Sequence, residues 1–214
     1  MKRYTVQVTE DKHAFRFDCG STWLNLLATR GRSFSADPVE RLDSPARFAE
    51  WLDRSELLPV RPPTADELAR AIRLRETLRV LVLATIDGTA PPIDAITELS
   101  AFLAEHNDPV HLVAAGRLRR EPPATASDAL ARIARQAIDY LTGIERAALK
   151  VCPEHDCRGV FIDSAGRRRW CPSPACASRG RVRAMRARRA AEQLSGPAHK
   201  RRTQATRPER SATD

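Results

Sequence analysis

Two close cysteine pairs around a short insert dominate what this chain can fold into: Cys152-x4-Cys157-x13-Cys171-x4-Cys176. This is the spacing of a structural tetrahedral zinc site. Each pair forms a knuckle that turns two thiolates toward one ion, and the insert is long enough to bring the chain back. The insert reads as a hairpin, with Val160–Asp163 as one strand, Ser164-Ala165-Gly166 as the turn and Arg167–Trp170 as the return strand. Four thiolates leave no open coordination position, so Zn2+ held by Cys152, Cys157, Cys171 and Cys176 maintains a fold and performs no hydrolysis. Two disulfides or an iron–sulfur cluster would use the same residues. The start of the chain, Met1 to Val8, carries no apolar signal-peptide core, which argues against the first. The symmetric knuckles argue against the second. His155 lies within the first knuckle but is surplus as a ligand and is expected as a solvated loop residue. Cys19 has no ligand-spaced partner and reads as an ordinary, partly buried thiol.

Charge separates the same end of the chain from the rest. The net charge is +9, yet residues 167–214 hold fourteen Lys and Arg against three acids, Glu192, Glu209 and Asp214. Residues 1–166 carry 22 bases against 24 acids. A near-neutral body with a basic end points to a polyanion partner, most often nucleic acid. The bases are mostly arginine, whose planar fork suits phosphate oxygens and guanine edges. After the last cysteine, Arg179, Arg181, Arg183, Arg186, Arg188 and Arg189 fall on a helix-compatible run whose start is expected near Arg181, because Gly180 weakens any earlier one. Arg179, Arg183 and Arg186 share one stripe, Arg181 and Arg188 lie opposite, and Val182 with Met185 forms a small apolar strip between them. Like charges at helical neighbour spacing weaken a helix unless an anion is present, which favours phosphate contact.

The 42% of apolar residues is enough for a core. The pattern predicts a mainly helical body over residues 1–149, a zinc finger with its basic helix over 150–190, and a disordered basic tail over 191–214. The fold class is therefore α+β, mainly α: a helical domain with short β-hairpins, then a small zinc-bound β-hairpin and helix. Ser44-Pro45 opens one helix, with Phe48, Trp51 and Leu52 on a common face. A capping box at Thr64–Glu67 opens a long one that Gly88 ends. Ile96, Leu99, Phe102 and Leu103 mark a third, after Pro91-Pro92. Ser127-Asp128 opens a fourth, with a buried stripe running from Leu130 to Ile144. Val110–Val113 and Gly116–Arg119 read as a hairpin, and an extended pair is expected from Tyr4, Val6 and Val8 with Phe15 and Phe17. No segment has the roughly 18 uninterrupted apolar residues of a membrane span, and the expectation is a soluble, cytoplasmic protein.

Taken together, Cys152-x4-Cys157, Phe161–Ser164, Arg167–Cys171, Cys176 and Arg179 resemble the CGNR zinc finger family of bacterial proteins. At the fourth ligand the family's Cys-Gly-Asn-Arg reads Cys176-Ala177-Ser178-Arg179 here. Upstream, the chain resembles the ABATE domain that precedes this finger. Its Leu-Asp-Phe-Val-Asn-Thr segment maps onto Leu24–Thr29, with Asn25 and Ala28 at the Asp and Asn positions, followed by Arg30-Gly31, Pro38–Leu42 and Pro45–Leu52. The resemblance implies a stress-related transcriptional regulator.

The leading expectation is thus a zinc-dependent DNA-binding regulator. Arg167, Arg168 and Arg169, together with the arginines of the basic helix, would grip phosphates, and the body would sense a small-molecule effector or self-associate. A homodimer would suit a regulator reading two half-sites, although no heptad supports it. RNA binding ranks second, since only Phe161 and Trp170 are at hand for base stacking, and a protein-interaction finger is a further alternative. No phosphate loop, nucleophile elbow or His-Glu-x-x-His helix is present, and the histidines show no catalytic spacing, so no enzyme is expected.

Overall fold

The computed structural model describes residues 12–109 and 111–195. Its longest helix in the body, α3 (Ala65–Asp87), is set by the expected capping box: Glu67 N donates to Thr64 Oγ1 at 3.2 Å and Thr64 N to Glu67 Oε2 at 2.9 Å. It stops at Gly88, whose φ of +67° is the left-handed conformation that favours glycine. Buried Ala71, Leu74, Leu78, Leu81 and Val82 share one apolar core with α5 (Ala126–Thr142), the second main helix of the body.

That helix begins earlier than Ser127 suggests. Thr125 is the cap, with its hydroxyl accepting from Asp128 N at 3.1 Å while the Asp128 carboxylate accepts from Thr125 N at 3.0 Å. Ser127 is buried and has another task. Its backbone N donates to Glu67 at 3.3 Å and its hydroxyl accepts from Arg70 at 3.1 Å, which ties the start of α5 to the start of α3. The stripe of α5 also ends sooner than expected. The chain turns at Gly143 into a 3-10 segment (Ile144–Ala148), and Ile144 is exposed.

Around this pair, α2 (Pro45–Arg54) starts at Ser44, which accepts from Arg47 N, and buries Phe48, Trp51 and Leu52 completely. Helix α4 (Ile93–Glu105) buries Ala95 and Leu99 but leaves Ile96 exposed. The hairpin expected after α4 is β3 (Leu112–Ala115) with β4 (Arg117–Arg120), turning at Gly116. Phe15 and Phe17 belong to no strand. Phe17 instead stacks on Trp51 at 6.4 Å between ring centres. The expected partner segment Tyr4–Val8 lies outside the described residues, as does the tail beyond Ser195.

The first three elements are too short to show periodicity. Helix α1 (Thr22–Leu27) has six residues, and Trp23, Leu24, Leu26 and Leu27 are buried within it. Strand β1 (Arg30–Gly31) pairs antiparallel with β2 (Val39–Glu40). The C-terminal elements are continuous with this body. Strand β5 (Leu149–Val151) straddles the boundary drawn at residue 149 and pairs antiparallel with β6 (Val160–Ile162). Leu149, Val160 and Phe161 belong to the same apolar core as Trp23 and Leu78. No described helix is long and apolar enough to cross a membrane.

Candidate metal centre and basic face

Strand β6 explains why the expected hairpin across the insert does not form. One edge pairs with β5, a ladder prolonged by Asp163 N donating to Ala148 O at 2.9 Å. The other edge is used by the body: Ile162 N donates to Cys19 O at 3.0 Å. No edge remains for Arg167–Trp170, which run as irregular chain. Buried Asp163 closes the loop by accepting from Arg168 N at 2.8 Å, and Gly166 sits in the left-handed region. The hairpin that supports the finger is therefore β5–β6, which joins the start of the insert to the strand before Cys152.

The two knuckles converge. In the first, Cys152 N donates to Gly159 O, and Cys157 N and Arg158 N both donate to Glu154 O at 2.9 Å. Gly159 N points at the Cys157 sulfur from 3.4 Å. In the second, Pro174 opens helix α6 (Pro174–Ser195), so Cys176 lies in its first turn, where the backbone dipole favours a thiolate. All four sulfurs lie within 4.8 Å of one another, and Cys157 and Cys171 are 3.9 Å apart. A disulfide needs about 2.05 Å, whereas thiolates about 2.3 Å from one tetrahedral zinc stand roughly 3.8 Å apart. The quartet fits Zn2+. Hydrogen bonds from Cys152, Cys157 and Cys171 hold the Cys176 thiol well below its ordinary range, and Arg179 adds to the effect. Cys171 is pushed in the opposite direction by its sulfur neighbours, led by Cys152. Four such groups carry full negative charge together only around a cation. His155 is exposed, as expected, and buried Cys19 has its thiol pushed up to about 11, first by burial and then by Asp18.

Helix α6 begins seven residues before Arg181 and runs through Gly180. Gly180 is needed there, because a Cβ at that position would lie 2.4 Å from the Trp170 indole. The same helix divides its arginines. Arg179 donates to Asp156 at 3.0 Å and to the Cys176 sulfur at 3.4 Å, and its Nε lies 3.8 Å from Glu154. Arg183 pairs with Glu154, whose side chain is only 4% exposed. These two members of the expected phosphate-facing stripe thus also brace the finger, the Arg183 side chain remaining 55% exposed. Arg167, Arg168, Arg169, Arg181, Arg186, Arg188 and Arg189 are exposed, and none forms a salt bridge among the described residues. Arg169 lies over the Trp170 ring at 5.1 Å. Sequence reasoning missed Glu154 and Asp156. Two acids inside a knuckle at an otherwise basic end were the available signal.

A family model described as "Putative stress-induced transcription regulator", ABATE, matches residues 20–144. The chain belongs to the ABATE family. A CGNR zinc finger model matches residues 148–189, so this ABATE protein carries a zinc-binding finger directly after its helical body. No curated protein matches the sequence significantly. Two residues of the segments matched to the ABATE motif, Thr29 and Glu40, meet at the buried Arg75. Arg75, 1% exposed, donates through two nitrogens to both Glu40 oxygens at 2.7 Å and to the Thr29 hydroxyl at 3.0 Å. Glu76 joins Arg75 to Arg79, and Arg79 donates to Leu27 O at 2.9 Å. In the same body, Asn25 Oδ1 accepts from Cys19 N at 3.1 Å.

Proposed function

We propose that this ABATE protein is a transcription regulator that binds duplex DNA through its zinc finger and senses a small molecule through its helical body. The observation that carries the reading is the division of labour along α6. Arg179 and Arg183 anchor the helix to the first knuckle, which leaves Arg181, Arg186, Arg188 and Arg189 exposed around the Val182–Met185 strip. A helix whose outward face is so densely cationic suits a phosphate backbone, and Arg167–Arg169 extend the same charge on the insert. When bound, zinc supplies a rigid clamp. The protein's own residues orient α6 and present the guanidinium groups.

Duplex DNA is favoured over single-stranded RNA because neither aromatic residue of the finger is free to stack. Phe161 is fully buried, and α6 lies against the Trp170 ring at Gly180. The test is selection from a random duplex pool with zinc-loaded protein. The expected result is recovery of a defined sequence. Failure to bind any duplex even at roughly 50 mM salt overturns the reading.

A further inference from the structure

A cavity of about 590 Å³ opens between the helical body and the zinc finger. Among the described residues, six arginines line it, namely Arg16, Arg30, Arg32, Arg41, Arg79 and Arg179, and Lys12 adds a seventh cation. Asp18 is the one carboxylate among its described lining residues, and Arg16 already pairs with it at 2.7 Å. Even a doubly negative zinc–tetrathiolate centre along one wall leaves this lining cationic. Part of the rest is apolar, from Phe15, Leu27, Val39 and Val160.

Two of the guanidinium groups, those of Arg79 and Arg41, are held by the fold, whereas the Arg30 side chain, 3.5 Å from Glu76, is 34% exposed and that of Arg32 49%. The Arg79 side chain is 6% exposed, with Nε on Glu76 and Nη2 on Leu27 O, while no described hydrogen bond uses its Nη1. Arg41 Nη1 donates to Ala28 O at 3.1 Å and packs over Gly31, where a Cβ would lie 2.6 Å from that nitrogen. Cations gathered around one cavity repel one another, and an anion in the shared space relieves that repulsion.

We propose that this cavity is a binding site for a small organic anion, a carboxylate or phosphate ester with an apolar body. The anionic group sits among Arg30, Arg32, Arg41 and Arg79, with guanidinium forks matched to its oxygens. The apolar part lies on Phe15, Leu27 and Val39. The proposal deepens the sensing half of the function above by giving the effector a chemical class and a place. Its position also gives it a readout. Residues 171–176 of the second knuckle and Arg179 form part of the wall, and Arg32 stands 4.0 Å from Asp156, the partner of Arg179. An anion that draws on Arg32 and Arg179 competes with the contacts that set α6.

The test is calorimetric titration of the zinc-loaded full chain, without DNA, with phenyl phosphate, benzoate, benzyl alcohol and inorganic phosphate. Phenyl phosphate or benzoate is expected to bind saturably, with Kd below about 1 mM, and benzyl alcohol at least about tenfold more weakly. The double variant Arg30→Glu/Arg32→Glu is expected to lose at least about tenfold in affinity, whereas Arg188→Glu, outside the cavity, keeps it. Gly31→Ala, which displaces Arg41, gives an independent loss should the double variant fail to fold. Absence of saturable binding by both aromatic anions overturns the proposal. So does equal binding by the neutral alcohol, or affinity unchanged in well-folded cavity variants. Equal affinity for inorganic phosphate overturns the organic part and marks an adventitious ion only. Because the titration contains no duplex, its failure leaves the DNA-binding reading untouched, and failure of duplex binding leaves the cavity result standing.

Discussion

Arg179 stands 3.4 Å from the sulfur of Cys176, with its other terminal nitrogen 3.0 Å from Asp156. A single residue thereby steadies a metal-ligating sulfur and fastens the first turn of α6 to the opposite knuckle. Hydrogen-bond partners of metal ligands typically account for about 10–100-fold in metal affinity. Arg179→Ala is therefore expected to weaken zinc binding by about that factor, measured by competition with a chromogenic chelator. Arg179→Lys should recover part of the loss through charge but not the two-point geometry. Zinc affinity unchanged in Arg179→Ala would show that the contact is incidental.

At Gly180 two effects have opposite signs. In an exposed helix Gly→Ala stabilises by about 1 kcal/mol. Here the added Cβ would meet the Trp170 indole at 2.4 Å, and overpacking of this kind costs about 1–3 kcal/mol. Gly180→Ala is expected to lower the thermal midpoint and shift the Trp170 emission. A raised midpoint would mean that the indole swings away without cost.

Salt dependence separates the two sets of arginines. If the seven exposed arginines of the insert and helix contact phosphates, log affinity for duplex should fall with log salt at a slope near −6, about −0.9 per contact. Arg186→Ala/Arg188→Ala/Arg189→Ala should flatten that slope by about 3 units with zinc content unchanged. Arg183→Ala should instead loosen the finger, because it leaves the nearly buried Glu154 carboxylate with less compensation.

The Arg75–Glu40 pair makes an acid-stability prediction. Burial alone would raise the Glu40 carboxyl, but hydrogen bonds and charge from Arg75 outweigh it and hold the group below its ordinary value. Glu76 is lowered in the same way by Arg79 and Arg75 against its burial. Their contribution is thus fully present above the unfolded value of about 4.3 and is lost as pH falls through the lower folded values. Denaturant midpoints should drop steeply below about pH 4. Glu40→Gln should cost about 1–2 kcal/mol at neutral pH, between the values for exposed and buried pairs because the Glu40 side chain is 37% exposed, and should make the acid slope shallower.

Removal of zinc by a strong chelator is expected to release one ion per chain and to lower the thermal midpoint by about 10 °C or more. The loss should extend into the body, because Phe161 and Val160 lie in its core. Cys152→Ser should reproduce the effect without chelator.

Where spacing carried a chemical demand, the linear chain was enough. The quartet Cys152, Cys157, Cys171 and Cys176, the capping box at Thr64–Glu67, the Gly88 stop and the buried face of α2 all follow from local geometry or ligand chemistry, and they stand as read. What depends on which edge or face is already occupied did not show. The insert does not form a hairpin because β6 has one edge on β5 and the other on Cys19. Helix α6 runs through Gly180 because Trp170 needs the space of a missing side chain. Helical spacing placed Arg179, Arg183 and Arg186 on one stripe, but only the fold brings Glu154 and Asp156 beneath the first two. The arginine-lined cavity likewise collects residues from Lys12 to Arg179, distant along the chain. Periodicity reports a residue's own helix or strand, whereas an ion pair or a cavity wall is fixed by a partner far away in sequence, and that partner is supplied only by packing.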